Sequence, residues 1–268
     1  SAPKEQVQQA TIGDSLQKRI KESQKKLKEH RALQAKFINE QNRKLKKQYR
    51  DDIERIEWEL IGETLKEQGN EESMKKLQQY KKNKSKPFFL WKLYFAEVFQ
   101  RENPGFDIVI ANPPYVDIKH LPADFVDILF HNFKTAQNRI NLYSLFIEKS
   151  WSLVNSNGTI TFINPNSILL NSSYKEIRTI LIDGIDKIIK LPDNIFENAI
   201  VETIILIIIK NNLKNNVLGA YYKNDDVIDF SRLKLIPFDR AAWKQDSDNR
   251  FNIFSSEIII NVLNKIDK

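Results

Sequence analysis

The chain has 268 residues, a net charge of +7, 41% hydrophobic residues and no cysteine, which allows a packed core in part of it and excludes disulfides and thiolate metal sites. Its longest apolar run, around Val201 to Ile209, is about half of what a membrane helix requires and contains Glu202; with no secretion signal in view, a cytoplasmic protein that spans no membrane is expected. His30, His120 and His131 are too scattered for a metal cluster and read as surface residues.

In chain order, Ile12-Gly13-Asp14-Ser15-Leu16 has the pattern of a helix start, with Asp14 or Ser15 as the N-cap. From Leu16 to Leu60 there is no proline, and Ile38, Leu45, Tyr49, Ile56 and Leu60 mark a narrow apolar seam. This predicts one long helix, a turn near Gly69-Asn70 and a shorter helix through Lys81, together a coiled-coil-like hairpin. Residues 1–50 hold 14 Lys or Arg against 5 Asp or Glu, so the positive balance lies in the first fifth of the chain. A basic face of Lys25, Lys26, Arg43, Lys44, Lys46 and Lys47 suits DNA phosphates, giving salt-dependent affinity without sequence reading; a solvated helix face fits the same residues. The aromatic cluster from Phe88 to Phe95, with Val98 and Phe99, reads as packing that docks the helical arm on a sheet rather than as a nucleic-acid surface.

Phe106-Asp107-Ile108-Val109-Ile110-Ala111 reads as a buried strand, and Asn112-Pro113-Pro114-Tyr115 follows at once. The prolines fix φ and remove two donors, so the chain must leave the sheet at its carboxyl edge as a stiff mount for Asn112 and Tyr115. Ligands of open α/β sheets bind beyond that edge. Such a tetrapeptide suits methylation of an exocyclic amine, a poor nucleophile because its lone pair is delocalised into a ring. The Asn112 side-chain oxygen and the Pro113 carbonyl can accept the amine's two N–H groups and draw the lone pair toward an electrophilic methyl, a case of charge stabilisation by preorganised dipoles. Tyr115 offers a ring face on which a base stacks, a contact worth about 1–3 kcal/mol. A plain proline-rich turn is the competing reading.

Downstream, Asn141-Leu142-Tyr143 opens an amphipathic stretch that ends at Asn157-Gly158. Strands are expected at 159–164, 186–191 and 201–209, with Asn164-Pro165-Asn166-Ser167 after the first of them and Pro192 to Ala199 before the last. Asn211 to Asn216 reads as a polar connector and Val217 to Phe230 as a short strand and turn.

With these motifs the chain resembles the amino-methylating, S-adenosylmethionine-dependent DNA methyltransferases, in particular the N6-adenine enzymes of type II, IIG-like restriction-modification systems. The resemblance implies an α/β fold, a partial Rossmann-like methyltransferase sheet with a long helical insertion. It implies S-adenosylmethionine as cofactor, double-stranded DNA as partner and a base rotated out of the duplex, which chemistry on a stacked base requires. Asn112, Pro113, Pro114 and Tyr115 would be the catalytic loop, with Asn112 also near the cofactor. Phe196 stands where the family places a ring against the target adenine, opposite Tyr115. Asp14 matches an acidic residue that contacts the cofactor's adenine. No two of the seven glycines make the family's glycine-containing cofactor loop, so a fragment is expected, with the N-terminal part of the same polypeptide as its missing partner. The expected division is residues 1–16 as a cofactor-side remnant, 17–86 as the basic arm, 87–212 as the catalytic portion and 213–268 as a linker and the start of a target-recognition region. A protein glutamine or ribosomal-RNA amine methyltransferase, a cytosine N4 acceptor and a non-catalytic DNA-docking module are the alternatives; no nuclease constellation stands out.

Overall fold

The computed structural model describes residues 2–67, 71–83, 89–137, 140–193, 195–196, 201–224 and 226–254, and of residues 2–20 and 67 the backbone alone. Two compact units follow one another, the first up to Gln100 and the second from Arg101 onward, so the division falls after Gln100 rather than after Lys86.

The first unit is helical: α1 (Ala2–Asn39), α2 (Arg43–Glu67), α3 (Glu71–Lys82), α4 (Trp91–Tyr94) and α5 (Ala96–Phe99). The single helix expected from Leu16 to Leu60 is in fact two. Asn42 accepts hydrogen bonds through Oδ1 from the backbone N–H of Lys44 at 3.0 Å and Leu45 at 3.3 Å, which caps α2 and reverses the chain without glycine or proline. The hairpin turn therefore lies at residues 40–42; Gly69-Asn70 falls outside the described residues. Residues 2–16 are continuous with the arm as α1, so Asp14 lies inside a helix rather than capping one, and its side chain is outside the described residues. Ile56 is buried in the seam, whereas Ile38 and Leu45, which flank the turn, are exposed.

Polar groups also tie α1 to α2. His30 is fully buried, not a surface residue, and its Nε2 lies 3.1 Å from Glu57 Oε1. The Tyr94 hydroxyl donates to Glu57 Oε2 at 3.0 Å, and Phe89 stacks on Tyr94 with ring centres 4.7 Å apart. Through Tyr94 the aromatic cluster thus packs onto the arm.

The second unit is built on a six-stranded sheet of β1 (Phe106–Ala111), β2 (Val154–Pro165), β3 (Ile185–Lys190), β4 (Thr203–Ile209), β5 (Asn216–Tyr221) and β6 (Ile236–Asp239), in the order β1-β2-β4-β3-β5-β6. β1 runs parallel to β2 and β3 parallel to β5, while β4 is antiparallel to both of its neighbours. Thr203-Ile204-Ile205-Leu206-Ile207-Ile208-Ile209 explains its own place: Thr203, Ile204, Leu206 and Ile208 are fully buried and Ile205, Ile207 and Ile209 half-buried, as an apolar run in a central strand requires. The helices are α6 (Ala123–Asn132), α7 (Leu142–Leu153), α8 (Ser167–Leu170), α9 (Lys175–Leu181) and α10 (Arg240–Gln245). Tyr143, Leu145 and Ile147 of α7 and Ile177 and Leu181 of α9 share one core with Ile160, Phe162, Leu206 and Ile208 of the sheet. A smaller cluster of Ile189, Leu191 and Tyr222 belongs to the opposite face. On that face Ile108 and Ile110 of β1 are 62% and 75% exposed, and β1 is an edge strand.

Two boundaries differ from the sequence reading. α7 stops at Leu153 and β2 begins directly at Val154, before Asn157-Gly158, and the pairing with β1 shifts register between Phe106 and Ile108. Residues 216–221 and 236–239, expected beyond the catalytic portion, are β5 and β6 of the same sheet, because β5 pairs directly with β3. Residues 255–268, the end of the stretch expected to open a target-recognition region, lie outside the described residues.

The chain enters β1 through Gly105, at φ +119°, where an added Cβ would lie 2.5 Å from the Asn155 nitrogen and 2.7 Å from the Val154 carbonyl carbon. At the start of β3, Asp186 is buried and bonded to Lys187 Nζ at 2.8 Å and Lys214 Nζ at 2.7 Å. Burial opposes its ionisation, yet the two ammonium groups outweigh that and hold its pKa below the usual carboxylate value. A depressed carboxylate pKa stabilises the fold above the unfolded pKa, near 4, and the gain is lost as pH falls through the folded value. Asp186→Asn should therefore lower the urea midpoint at pH 7, with the gap to the unsubstituted protein closing as the pH is taken below about 4.

Candidate active site

The corner after β1 is built as its residues require. Pairing with β2 runs to Ala111 opposite Phe162, after which Pro113 and Pro114 have no N–H to continue the ladder. The Tyr115 hydroxyl supplies a donor in their place, bonding the Ile163 carbonyl at 2.9 Å. Burial pushes the phenol's pKa up to about 12, so it stays a donor across the physiological range. The next residues are fixed by backbone bonds, from Leu142 N–H to Val116 carbonyl at 2.8 Å and from Ile118 N–H to Ile140 carbonyl at 3.1 Å. Asn141 then caps α7, its side chain accepting from Tyr143 N–H. The result is a corner pinned at both ends.

Pro113 is buried, whereas Asn112 is exposed and its amide makes no hydrogen bond among the described residues. Such a side chain is open to a ligand. Tyr115 is half-buried and meets Phe196 edge to face, with centres 6.4 Å apart and planes at 80°. The structure thus brings Asn112, Tyr115 and Phe196 to the same edge, but the two rings touch each other at right angles rather than standing as parallel plates. Tyr115→Phe should keep the ring and remove its tether, lowering urea-unfolding stability by about 0.5–1.5 kcal/mol, the scale of one net hydrogen bond.

Of the basic residues, Lys25, Arg43, Lys44 and Lys47 are exposed. Lys26 is instead turned onto Glu59 at 3.0 Å and onto Glu63, and Lys46 lies 5.1 Å from the centre of the Phe37 ring. Among the described residues no group of histidine and carboxylate side chains is placed to hold a metal ion.

A model of the Eco57I restriction-modification methylases matches residues 7–196, from α1 to the Phe196 ring. The chain belongs to the Eco57I restriction-modification methylase family. It is similar to the type II restriction enzyme and methyltransferase RM.Eco57I of Escherichia coli, 28% identical over 129 residues that are 46% of this chain and 13% of that protein. It is also similar to the type II methyltransferase M.BanIII of Aneurinibacillus aneurinilyticus, 29% identical over 155 residues, 55% of this chain and 27% of that protein. The type IIG restriction endonuclease BpuSI, 18% identical, superposes with a TM-score of 0.43 over 54% of this chain and 20% of that chain. The chain thus spans 13% and 27% of the length of these two curated relatives.

In this Eco57I-family chain several residues around the corner are buried in ways that the sequence reading does not foresee. Tyr143 is fully buried, with its hydroxyl 3.0 Å from Ser167 Oγ. Asn164, near the end of β2, is wholly buried, and neither amide atom has a hydrogen-bond partner among the described residues. Arg178 is also wholly buried; its guanidinium clasps the carbonyls of Ile168 at 2.8 Å, Asn171 at 2.7 Å and Asp248 at 3.0 Å, and burial lowers its pKa. An isolated arginine or asparagine carries no sequence signal of such burial, though Tyr143, next to an asparagine helix cap, had a local one.

Proposed function

We propose that this chain is the acceptor-holding portion of a restriction-modification DNA methyltransferase that modifies adenine N6 in a base turned out of the duplex. The observation that carries the reading is the exposed Asn112 amide at the carboxyl end of β1, without a hydrogen bond among the described residues, on a corner whose tyrosine is tethered to β2 and touches Phe196. The Asn112 oxygen and the Pro113 carbonyl accept the two amine hydrogens, which localises the nitrogen lone pair; no side chain has to take up the proton, which leaves to water after transfer. Tyr115 and Phe196 stack on the base once it has separated the two rings.

S-adenosylmethionine, when bound, supplies the electrophilic methyl. Asn112 is proposed to lie near it, and the sequence has no glycine-rich loop for its methionine end, so the residues present would make up part of such a site. The position of β1 at the edge of the sheet, among the described residues, and the exposed Ile108 and Ile110 support a partner role for another part of the same polypeptide, which would pair there and bring the remainder. The exposed Lys25, Arg43, Lys44 and Lys47 are proposed to lie along DNA phosphates, with affinity that falls steeply with salt.

The test uses the full-length protein, labelled S-adenosylmethionine and three acceptors: genomic DNA from a host lacking the gene, total RNA, and total protein. Label recovered as N6-methyladenine in DNA supports the proposal. Label in N4-methylcytosine, in RNA or in glutamine side chains replaces the acceptor, and no transfer to any of them, with DNA binding retained, leaves a docking module.

A further inference from the structure

We infer that Tyr143 is a positioning residue for the proposed methyl transfer, holding the Tyr115 ring in the attitude from which it receives the base; the inference rests on the function proposed above. The rings lie edge to face, 6.2 Å apart with planes at 83°, and Tyr143 is itself stacked on Tyr174 at 5.4 Å and 30°. Tyr115 is therefore constrained at three points: its hydroxyl on the Ile163 carbonyl, Phe196 on one side and Tyr143 on another.

These three restraints are not equivalent. A hydroxyl tether fixes the far end of the ring but leaves the plane free to turn about its own long axis. Phe196 has to yield when a base enters, because the two rings now occupy each other's contact surface. Tyr143 is the restraint that can remain, since it is fully buried and belongs to the packed core. Edge-to-face geometry is also the right kind of restraint: the positive rim of one ring against the negative face of another resists rotation of the plane, which a shapeless apolar contact does not. The backbone reinforces the pairing, because the bridge between residues 116–118 and 140–142 registers the first turn of α7 against the corner. Finally, the Tyr143 hydroxyl contacts Ser167 in the segment that follows β2, so one side chain ties together the two chain segments leaving the carboxyl edge of adjacent strands.

The test compares Tyr143→Leu, Tyr143→Phe and Tyr174→Leu in the full-length protein, measuring saturating methyl-transfer rate and half-saturating DNA concentration well below the melting temperature of each variant. The expected result is a saturating rate lowered about tenfold by Tyr143→Leu with half-saturation changed less than threefold, and restoration to within about threefold by Tyr143→Phe, which keeps the ring edge. Tyr174→Leu is the matched core lesion: it disturbs the same cluster without removing the contact to Tyr115, and should keep most of the rate. If Tyr143→Leu does not fold, Tyr143→Met, close to it in volume, takes its place with the same reading. An unchanged saturating rate in Tyr143→Leu, or equal losses in Tyr143→Leu and Tyr174→Leu that follow their melting temperatures, overturns the inference. Neither result touches the proposed function, which fails separately if Asn112→Ala leaves transfer intact.

Discussion

Asn112→Ala in the full-length protein should lower the saturating rate of methyl transfer about a hundred- to a thousandfold, the loss found when one preorganised dipole is removed from a developing charge, about 2.7–4 kcal/mol. The side chain is exposed and makes no hydrogen bond among the described residues, so little folding energy depends on it. Melting temperature and DNA affinity should accordingly stay close to those of the unsubstituted protein. This combination separates a chemical role from a packing role. Asn112→Asp sharpens the comparison: it keeps an oxygen acceptor but places an anion beside the incoming base, so any activity it retains should depend on pH in the carboxylate range. A rate for Asn112→Ala within threefold of the unsubstituted protein would remove the corner from the chemistry and, with it, the proposed function.

A comparably large effect, on stability instead of rate, is expected for Gly105→Ala. The φ of +119° is a conformation that costs a residue with a side chain about 1–3 kcal/mol, and the new Cβ would meet backbone atoms of Leu153, Val154 and Asn155 at 2.5–2.8 Å. Backbone cannot swing aside as a flexible side chain does, so β1 and β2 would have to separate where their register already shifts. A loss of at least about 3 kcal/mol in urea-unfolding stability is expected, by adding displacement of the neighbouring strand to the backbone strain. Gly62→Ala supplies the opposite sign. Gly62 lies inside α2, and the nearest atom to an added Cβ is Leu77 Cδ2 at 4.0 Å, so alanine should stabilise by about 0.5–1 kcal/mol. If the two variants shifted stability in the same direction, the backbone geometry described at Gly105 would be wrong.

What the sequence makes legible is local. β4 is visible as an apolar run and Ile108 to Ala111 marks β1 as a strand, although β1 lies at the sheet edge with Ile108 and Ile110 exposed rather than buried; the proline pair marks where β1 must stop, so the corner and its mount can be read directly from residues 106–115. Phe196 came from family resemblance alone, since a single aromatic before a strand has no distinguishing pattern of its own. What escaped depends on partners far away in the chain. The sheet order is set by pairings such as β3 with β5, which no periodicity encodes, and β5 and β6 are too short and mixed for their pairing to be foreseen. His30 reads as a surface residue until Glu57, twenty-seven positions away, is seen bonded to it. The turn at Asn42 was missed because an asparagine cap in a polar stretch is chemically sufficient to start a helix but is hard to tell from its hydrophilic surroundings.

The outermost strand of the sheet carries a practical consequence. Among the described residues β1 is an outermost strand of the sheet, and Ile108 and Ile110 on it face water. Edges of that kind attract other edges, so concentrated solutions of this polypeptide would be prone to stick copy to copy, and material meant for crystallisation or calorimetry is better kept dilute.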